Sequence, residues 1–377
     1  AFPTSVKLNP GEHRPIETLV INGAECEPYI SCDDMLMRER PGEIVSGIRI
    51  LKHALQPRQT LIGIEDNKAE AIAALREALA SAPAEDIELV EIPTIYPTGG
   101  EKQLVKVLTG KEIPSNGLSF DIGAVCQNVG TAAALHRALN LGEPLLSRFV
   151  TVTGRAVRSQ RNVDVRLGTP VRQLIELCGG YLGDVDRLIQ GGPMMGFALH
   201  TDEVPVVKAT NCILVAAPGD VFEPDVPMPC IRCGACETVC PANLLPQQLY
   251  WYARSRDLDK AQEYHLFDCI ECGCCAAVCP SHIPLVQYYR FAKTEVWDQE
   301  RNTRAADIAR RRHEFREARL ERLKAEQEEA RRKKRQALKH PPKKAEADPK
   351  KAAIESALAR VKAKKGAGDT APDSEEA

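Results

Sequence analysis

Two runs in the second half of the chain repeat one pattern, Cys-x-x-Cys-x-x-Cys-x-x-x-Cys-Pro. The first is Cys230, Cys233, Cys236, Cys240 before Pro241; the second is Cys269, Cys272, Cys275, Cys279 before Pro280. In this spacing three close thiolates wrap one [4Fe–4S] cubane, and the fourth reaches across to the other cluster. One cluster is therefore assigned to Cys230, Cys233, Cys236 and Cys279, and a second to Cys269, Cys272, Cys275 and Cys240. The proline turns the chain away after the last ligand, because it disfavours helix at the residue before it. A structural zinc pair is the alternative, since four thiolates also suit tetrahedral zinc. Zinc sites use two Cys-x-x-Cys pairs, however, without a third Cys in step or a closing Cys-Pro. The pattern is that of an electron carrier.

The rest of the composition fits that reading. At 377 residues the chain has room for two or three domains. Of its 14 Cys, the remaining Cys26, Cys32, Cys126, Cys178, Cys212 and Cys274 show no metal-like spacing, and read as free thiols in a reducing compartment. Cys274 adjoins Cys275 but breaks the three-residue step. No run of about 18 uncharged apolar residues exists, so no span of a membrane is expected. None of the eight His stands at metal-ligand spacing from another, and none is assigned to catalysis. The chain starts Ala-Phe-Pro without Met or a signal-like segment, and reads as a piece whose natural N-terminus lies further upstream.

The first third alternates strand and helix. Strands are expected at 17–22, 60–64, 87–92 and 120–125, and helices at 43–55, 68–80, after Gly99–Gly100, and at 129–139. Such alternation argues for a parallel sheet covered by helices, with ligands at the carboxyl ends of its strands. Polar residues collect there: Asn22, Glu25 and Glu27 after the first strand, Tyr96 with Gly99–Glu101 after the third, and Gln127–Asn128 after the fourth. Taken singly, Lys7 and Glu101 would be solvated charges, and Asn22 and Asn128 turn or cap residues. Their order and shared location set them apart.

That order carries a resemblance. Phe2-Pro3-Thr4 with Lys7, then Asn22-Gly23-Ala24-Glu25-Cys26-Glu27-Pro28, Tyr96 before Gly99-Gly100-Glu101, and Asn128-Val129-Gly130-Thr131 follow one another in sequence. The set resembles the FMN- and NADH-binding subunit of respiratory complex I. With two ferredoxin runs behind it, it is similar more closely to the C subunit of the Rnf electron-transport complex, over roughly residues 1–297. The resemblance implies FMN, two [4Fe–4S] clusters and NADH as substrate. It gives Lys7 to the flavin phosphate, Asn22, Glu25, Asn128 and Tyr96 to the flavin pocket, Phe2 to stacking on the adenine of NADH, and Glu27 and Glu101 to the nucleotide. The family's Gly-rich loop would end where this chain begins, at Ala1. Ala24, Gly100-Glu101 and Gln127 depart from the complex I pattern, and these departures bear on NADH more than on the flavin.

The implied fold is a complex I 51 kDa-like α/β FMN domain over 1–147, a soluble-ligand-binding β-grasp module over 148–200, and an α-helical two-cluster ferredoxin-like domain over 230–297. Residues 201–229, with strand 210–216 and Pro218, Pro224, Pro227 and Pro229, read as a linker. The β-grasp module reads as a packing spacer. The implied role is a peripheral subunit on the cytoplasmic side of an inner membrane. It would pass electrons from NADH towards ferredoxin within an ion-translocating complex, beside the ferredoxin-like B subunit and the membrane subunits. A cobalamin reductase of the propanediol-utilisation type, and a ferredoxin-like adaptor with vestigial flavin loops, are the alternatives. No nucleic-acid partner is implied.

Charge is uneven. The overall net charge is -2, yet residues 301–377 carry 23 Lys+Arg against 14 Asp+Glu. Residues 305–338 read as a solvated helix laced with opposite charges, and the Pro-containing remainder as disordered linker. A solvated extension is the plain reading of this 298–377 tail; contact with anionic lipid or an acidic partner is the sharper one.

Overall fold

Four β-branched runs of the first third become one parallel sheet in the computed structural model, which describes residues 3–9, 15–81, 86–221, 226–339 and 349–365. Its strands are β1 (Thr18–Asn22), β2 (Gln59–Glu65), β3 (Ile87–Ile92) and β4 (Ala124–Asn128), in the order β3-β2-β1-β4. Central β1 pairs in parallel with both β2 and β4, aligning Asn22 with Gly63 and Asn128. Leu19, Val20 and Ile21 are wholly buried because helices cover both faces, hence a continuous apolar run rather than an alternating one. The helices are α1 (Thr4–Lys7), α2 (Cys32–Glu39), α3 (Pro41–Leu55), α4 (Ala69–Ala80), α5 (Glu101–Thr109) and α6 (Val129–Asn140). Helices α3 and α6 cross so closely that a Cβ on Gly47 would stand 1.8 Å from the Ala132 carbonyl oxygen.

Two local differences from the expected elements matter for the site. The fourth strand was expected at 120–125, but Ser119–Ile122 forms a short 3-10 turn, and Gly123 at φ 73° starts the strand at Ala124. The strand thereby ends on Gln127 and Asn128, at the sheet's carboxyl edge. Helix α2 is more polar than α3 and α4 and was not expected. It buries Cys32, Leu36 and Met37 and begins with Asp33 and Asp34, acids that favour a helix N-terminus.

The middle region forms a second sheet, order β6-β5-β9-β7-β8. Its elements are β5 (Ser147–Thr153), β6 (Arg161–Arg166), α7 (Val171–Leu177), β7 (Arg187–Gln190), β8 (Phe197–Ala198) and β9 (Cys212–Ala216). Strand β9 corrects the linker reading of 201–229. It inserts between β5 and β7, with all five residues buried. An apolar five-residue strand with no polar face requires cover on both sides, and the sheet centre supplies it.

The cysteine-rich region is helical: α8 (Ala235–Thr238), α9 (Pro246–Ser255), α10 (Leu258–Glu263), α11 (Cys274–Ala277) and the start of α12 (Leu285–Lys339). Leu249, Tyr250, Leu266, Ile283 and Tyr289 make its core. Pro246 sets the first turn of helix α9. All three regions fall in one compact unit, Ala1–Asp298, and Gln299–Ala377 forms a second. In the second unit nearly every described side chain is exposed, and residues expected as linker contain a further helix, α13 (Pro349–Lys365). Among the described residues no helix is long and apolar enough to cross a membrane.

Candidate functional site: strand-end loops and two cysteine chambers

The strand-end loops are bound into one network. Asn22 at the end of β1 donates from Nδ2 to the Gly99 carbonyl oxygen at 2.9 Å, and its Oδ1 accepts the Ala24 amide at 3.0 Å. The Gly99 amide donates to Cys26 Sγ at 3.3 Å, so the Gly99–Gly100 turn is held from both sides. Glu25 accepts the Asp33 and Asp34 amides at the start of α2, at 3.0 and 3.3 Å. Asn128 caps α6 by accepting the Gly130 amide at 2.8 Å, and its Nδ2 donates to Asp33 Oδ2 at 2.7 Å. Burial first, then the nearby Asp33 charge, raises the Glu25 carboxyl to about 7. Burial raises Asp33 and Glu65 as well.

Lys7 is also held. Its ammonium donates to Glu101 Oε2 and to the Cys126 carbonyl oxygen, each at 2.7 Å, while Glu101 Oε1 accepts the Ser119 hydroxyl at 2.8 Å. Two further polar side chains stand at these strand ends: Gln127, already noted after the fourth strand, and Glu65, which the sequence did not single out. Gln127 and Glu65 are 5% and 0% exposed, and Gln127 Nε2 and Glu65 Oε1 have no partner among the described residues. Buried amide and carboxylate groups are normally satisfied, so these orphaned atoms and the Gly99–Gly100 turn fit a polar ligand such as a flavin. Asp33, Glu65 and Cys26 carried one usable signal, their adjacency to the loops already singled out. Phe2 lies outside the described residues.

Two of the predicted residues face the other regions of the unit. Glu27 Oε1 accepts the Met194 and Met195 amides at 2.8 and 2.7 Å, tying the first loop to the second sheet region. A Cβ on Gly192 would come within 2.6 Å of the Glu27 side chain, which accounts for glycine there. The Tyr96 hydroxyl donates to the Cys272 carbonyl oxygen at 2.6 Å. Beside it Lys102 pairs with Asp268 at 3.0 Å, and Gln103 Nε2 reaches the Pro241 carbonyl oxygen at 3.3 Å. The loop after β3 and the head of α5 thus grip the loop of the second cysteine run.

The eight cysteines line two separate chambers. Cys230, Cys233, Cys236 and Cys279 surround one, with Tyr250 and Ile283 in its wall. Cys240, Cys269, Cys272 and Cys275 surround the other, with Leu249 and Tyr289. Each chamber takes three thiols from one run and the fourth from the other. Cys274 lines neither. Four thiols in an apolar wall are the donor set that an iron–sulfur cluster takes. The runs also repeat each other at an offset of 39 residues: Arg232 and Glu271 share φ 59°, and Asn243 and His282 have φ 51° and 49°. The chambers differ in setting, since Cys272 and Cys275 are buried whereas Cys233 is exposed.

Comparisons with known proteins match these regions. A model of the Nuo51 FMN-binding domain matches residues 1–137, the SLBB domain residues 149–198, and the 4Fe-4S dicluster domain residues 229–283. The C subunit of the ion-translocating oxidoreductase complex of Erwinia tasmaniensis is 52% identical over 324 residues, covering 86% of this chain and 40% of that protein. Its namesake from Pseudomonas aeruginosa is 49% identical over 321 residues, covering 85% of this chain and 41% of that protein. The chain thus spans about two fifths of the length of these curated relatives. A solved NAD+-reducing [NiFe]-hydrogenase in its H2-reduced state superposes with a TM-score of 0.53 at 16% identity, over 76% of this chain and 57% of that one. That likeness concerns the fold alone. The chain therefore carries an FMN-type α/β domain, an SLBB domain and a dicluster domain.

Proposed function

We propose, on the premise that this chain is a homologue of the C subunit of ion-translocating oxidoreductase complexes over most of its length, that it is the peripheral electron-input part of such a complex. NADH is its electron donor and another subunit its acceptor. The observation that carries this reading is the junction at Tyr96 and Cys272, which ties a complex I-type strand-end loop to the wall of a four-cysteine chamber. When bound, the flavin supplies exchange between a two-electron hydride and single electrons, and the cubanes supply one-electron carriers.

This chain's residues then position rather than transform. Asn22, Glu25 and Asn128 present amide and carboxylate groups at the sheet edge, with Gln127 and Glu65 beneath them. Lys7 holds a cation 2.7 Å from Glu101 at the same edge, ready to meet an anionic group. In the proposed ligand sets, Cys230, Cys233, Cys236 and Cys279 hold cluster one, and Cys269, Cys272, Cys275 and Cys240 hold cluster two. The Tyr96–Cys272 contact supports a flavin-facing position for cluster two, and the exposure of Cys233 supports a partner-facing one for cluster one. Phe2, Glu27, Glu101 and Tyr96 complete the nucleotide side.

The partners would be the ferredoxin-like B subunit and the membrane subunits, at the cytoplasmic face of an inner membrane, with the basic tail against anionic lipid. The test is anaerobic reconstitution of a protein that includes the upstream loop with FMN, iron and sulfide, followed by NADH. Bleaching of the cluster absorption that requires FMN supports the reading. Clusters that form but accept no electrons from NADH, with FMN bound, would overturn it.

A further inference from the structure

The two chambers come from one repeat yet sit in different electrostatic settings. At the 39-residue offset, Lys293 stands where the first half has Arg254, Glu271 where it has Arg232, and Arg290 where it has Trp251. In the second half these charges close on one another. Lys293 Nζ donates to the Cys269 carbonyl oxygen at 2.7 Å and to Glu271 Oε1 at 2.8 Å, and Arg290 Nε donates to Glu271 Oε2 at 2.7 Å. In the first half Arg232 and Arg254 carry like charge and cannot close. Arg254 instead donates to the Tyr250 hydroxyl at 3.0 Å and lies over Trp251.

Burial decides which of these charges is felt. Lys293 is 6% exposed, on the same helix face as Tyr289, Ala292 and Val296, where packing alone would call for an apolar side chain. A buried ammonium is costly and persists only when paired and hydrogen-bonded. Arg232 and Arg254 are exposed, so solvent and salt screen them. Glu271 is half-buried and Arg290 is 42% exposed, so Lys293 is the least screened of the three, and it stands beside the loop that supplies three of the second chamber's thiols. Adding an electron makes a cluster and its thiolates more negative, so a buried cation favours the reduced form.

We propose that Lys293 raises the reduction potential of the cluster held by Cys269, Cys272, Cys275 and Cys240, making it the first of the two to be reduced. This rests on the cluster assignment proposed above. It agrees with the junction geometry, since the same loop meets the flavin domain through Tyr96.

The test is a redox titration, followed by electron paramagnetic resonance, of the full chain loaded anaerobically with iron and sulfide. Removing cluster one by Cys233→Ala identifies which step belongs to cluster two. Lys293→Met should lower that midpoint and leave the other in place, Lys293→Arg should restore it, and Glu271→Gln should raise it. A Lys293→Met protein with full iron content and unmoved midpoints would overturn the inference, as would movement of cluster one alone. If Lys293→Met fails to hold iron, the Glu271→Gln variant decides, and an unchanged or lowered midpoint there overturns it. A wild-type chain that takes up no cubane would instead sink the cluster assignment itself.

Discussion

The Tyr96 hydroxyl donates to the Cys272 carbonyl oxygen at 2.6 Å, joining residues 176 positions apart in the chain. Burial pushes the Tyr96 phenol well above its ordinary range, so it remains a proton donor at any working pH. Tyr96→Phe keeps the ring and removes only the donor, leaving a half-buried carbonyl without its partner. The expected loss is about 1 kcal/mol at the junction. Hydrogen exchange should quicken in the 269–275 loop, and NADH-driven cluster reduction should slow, with iron and flavin content retained. Unchanged exchange in that loop would show that the hydroxyl does not hold the junction.

Beside a long bond to the Asn22 carbonyl oxygen at 3.5 Å, Asn128 makes two short and separable contacts, a helix cap to Gly130 and a bond to Asp33. Asn128→Ala loses both, so it should cost roughly 1–2 kcal/mol of stability even without flavin and should weaken FMN as well. Asn128→Ser can keep the cap while losing the reach to Asp33. It should therefore recover most of the stability but not the flavin affinity, read by denaturant unfolding and by flavin fluorescence. Equal recovery of both would reduce Asn128 to a cap.

Glu25 gives the strand-end site a pH dependence. An ordinary glutamate titrates near 4.5, and this one near 7 when folded, so between those values the folded state holds a proton that the unfolded state has lost. Stability therefore falls as pH rises through that window, by on the order of 3 kcal/mol in total. Glu25→Gln should remove most of the decline. Thermal unfolding at pH 5 and pH 7 tests it: the drop seen in the wild type should shrink in the variant, and parallel drops in both would refute the assignment.

The clusters are expected to depend on the eight chamber cysteines and not on Cys274, the first residue of α11. Cys233→Ala should lose about one cubane's worth of iron, roughly half of the total, because a cubane left with three thiolates is labile. Cys274→Ala should lose none. Iron loss from Cys274→Ala together with full retention in Cys275→Ala would mean that the ligand register is wrong.

What could be read in the sequence was what local spacing encodes. Strands β1 and β2 were legible because a parallel sheet buries both faces of a central strand and leaves an apolar run, and edge strand β3 because Ile87, Leu89, Val90 and Ile92 surround two exposed glutamates. The cysteine sets were legible because ligand order is a property of the chain. Strand β4 was set three to four residues too early, since the turn at Gly123 depends on a left-handed backbone that local propensity does not reveal. Strand β9 was legible as a strand at 210–216, but not its place in the sheet, because its partners, β5 and β7, are set by long-range pairing. Glu27 shows the same limit at the site. Its loop was evident, but its contacts to Met194 and Met195 arise from the packing of two domains. Lys293 left one trace, a cation at the i+4 position from Tyr289 on an otherwise apolar helix face.

The tail offers the cheapest experiment. Residues 301–340 carry 15 Lys+Arg against 7 Asp+Glu, and the five basic residues 331–335 have no acid among them. Their side chains are exposed, so they add nothing to a core. Earlier in the helix acids and bases alternate, and pairs such as Asp307 with Arg310 are exposed contacts that contribute little to stability. Near an anionic membrane each basic residue contributes up to about 1 kcal/mol, screened over a Debye length of roughly 8 Å. Truncation after Trp297 leaves the cysteine chambers and strand-end loops within the retained unit, so iron and flavin content should not change. Binding to vesicles containing anionic phospholipid should fall sharply for the truncated chain at low salt. The advantage of the intact chain should shrink as salt rises. Equal retention of both proteins at every salt concentration would leave the tail a solvated extension with no part in holding the protein at a membrane.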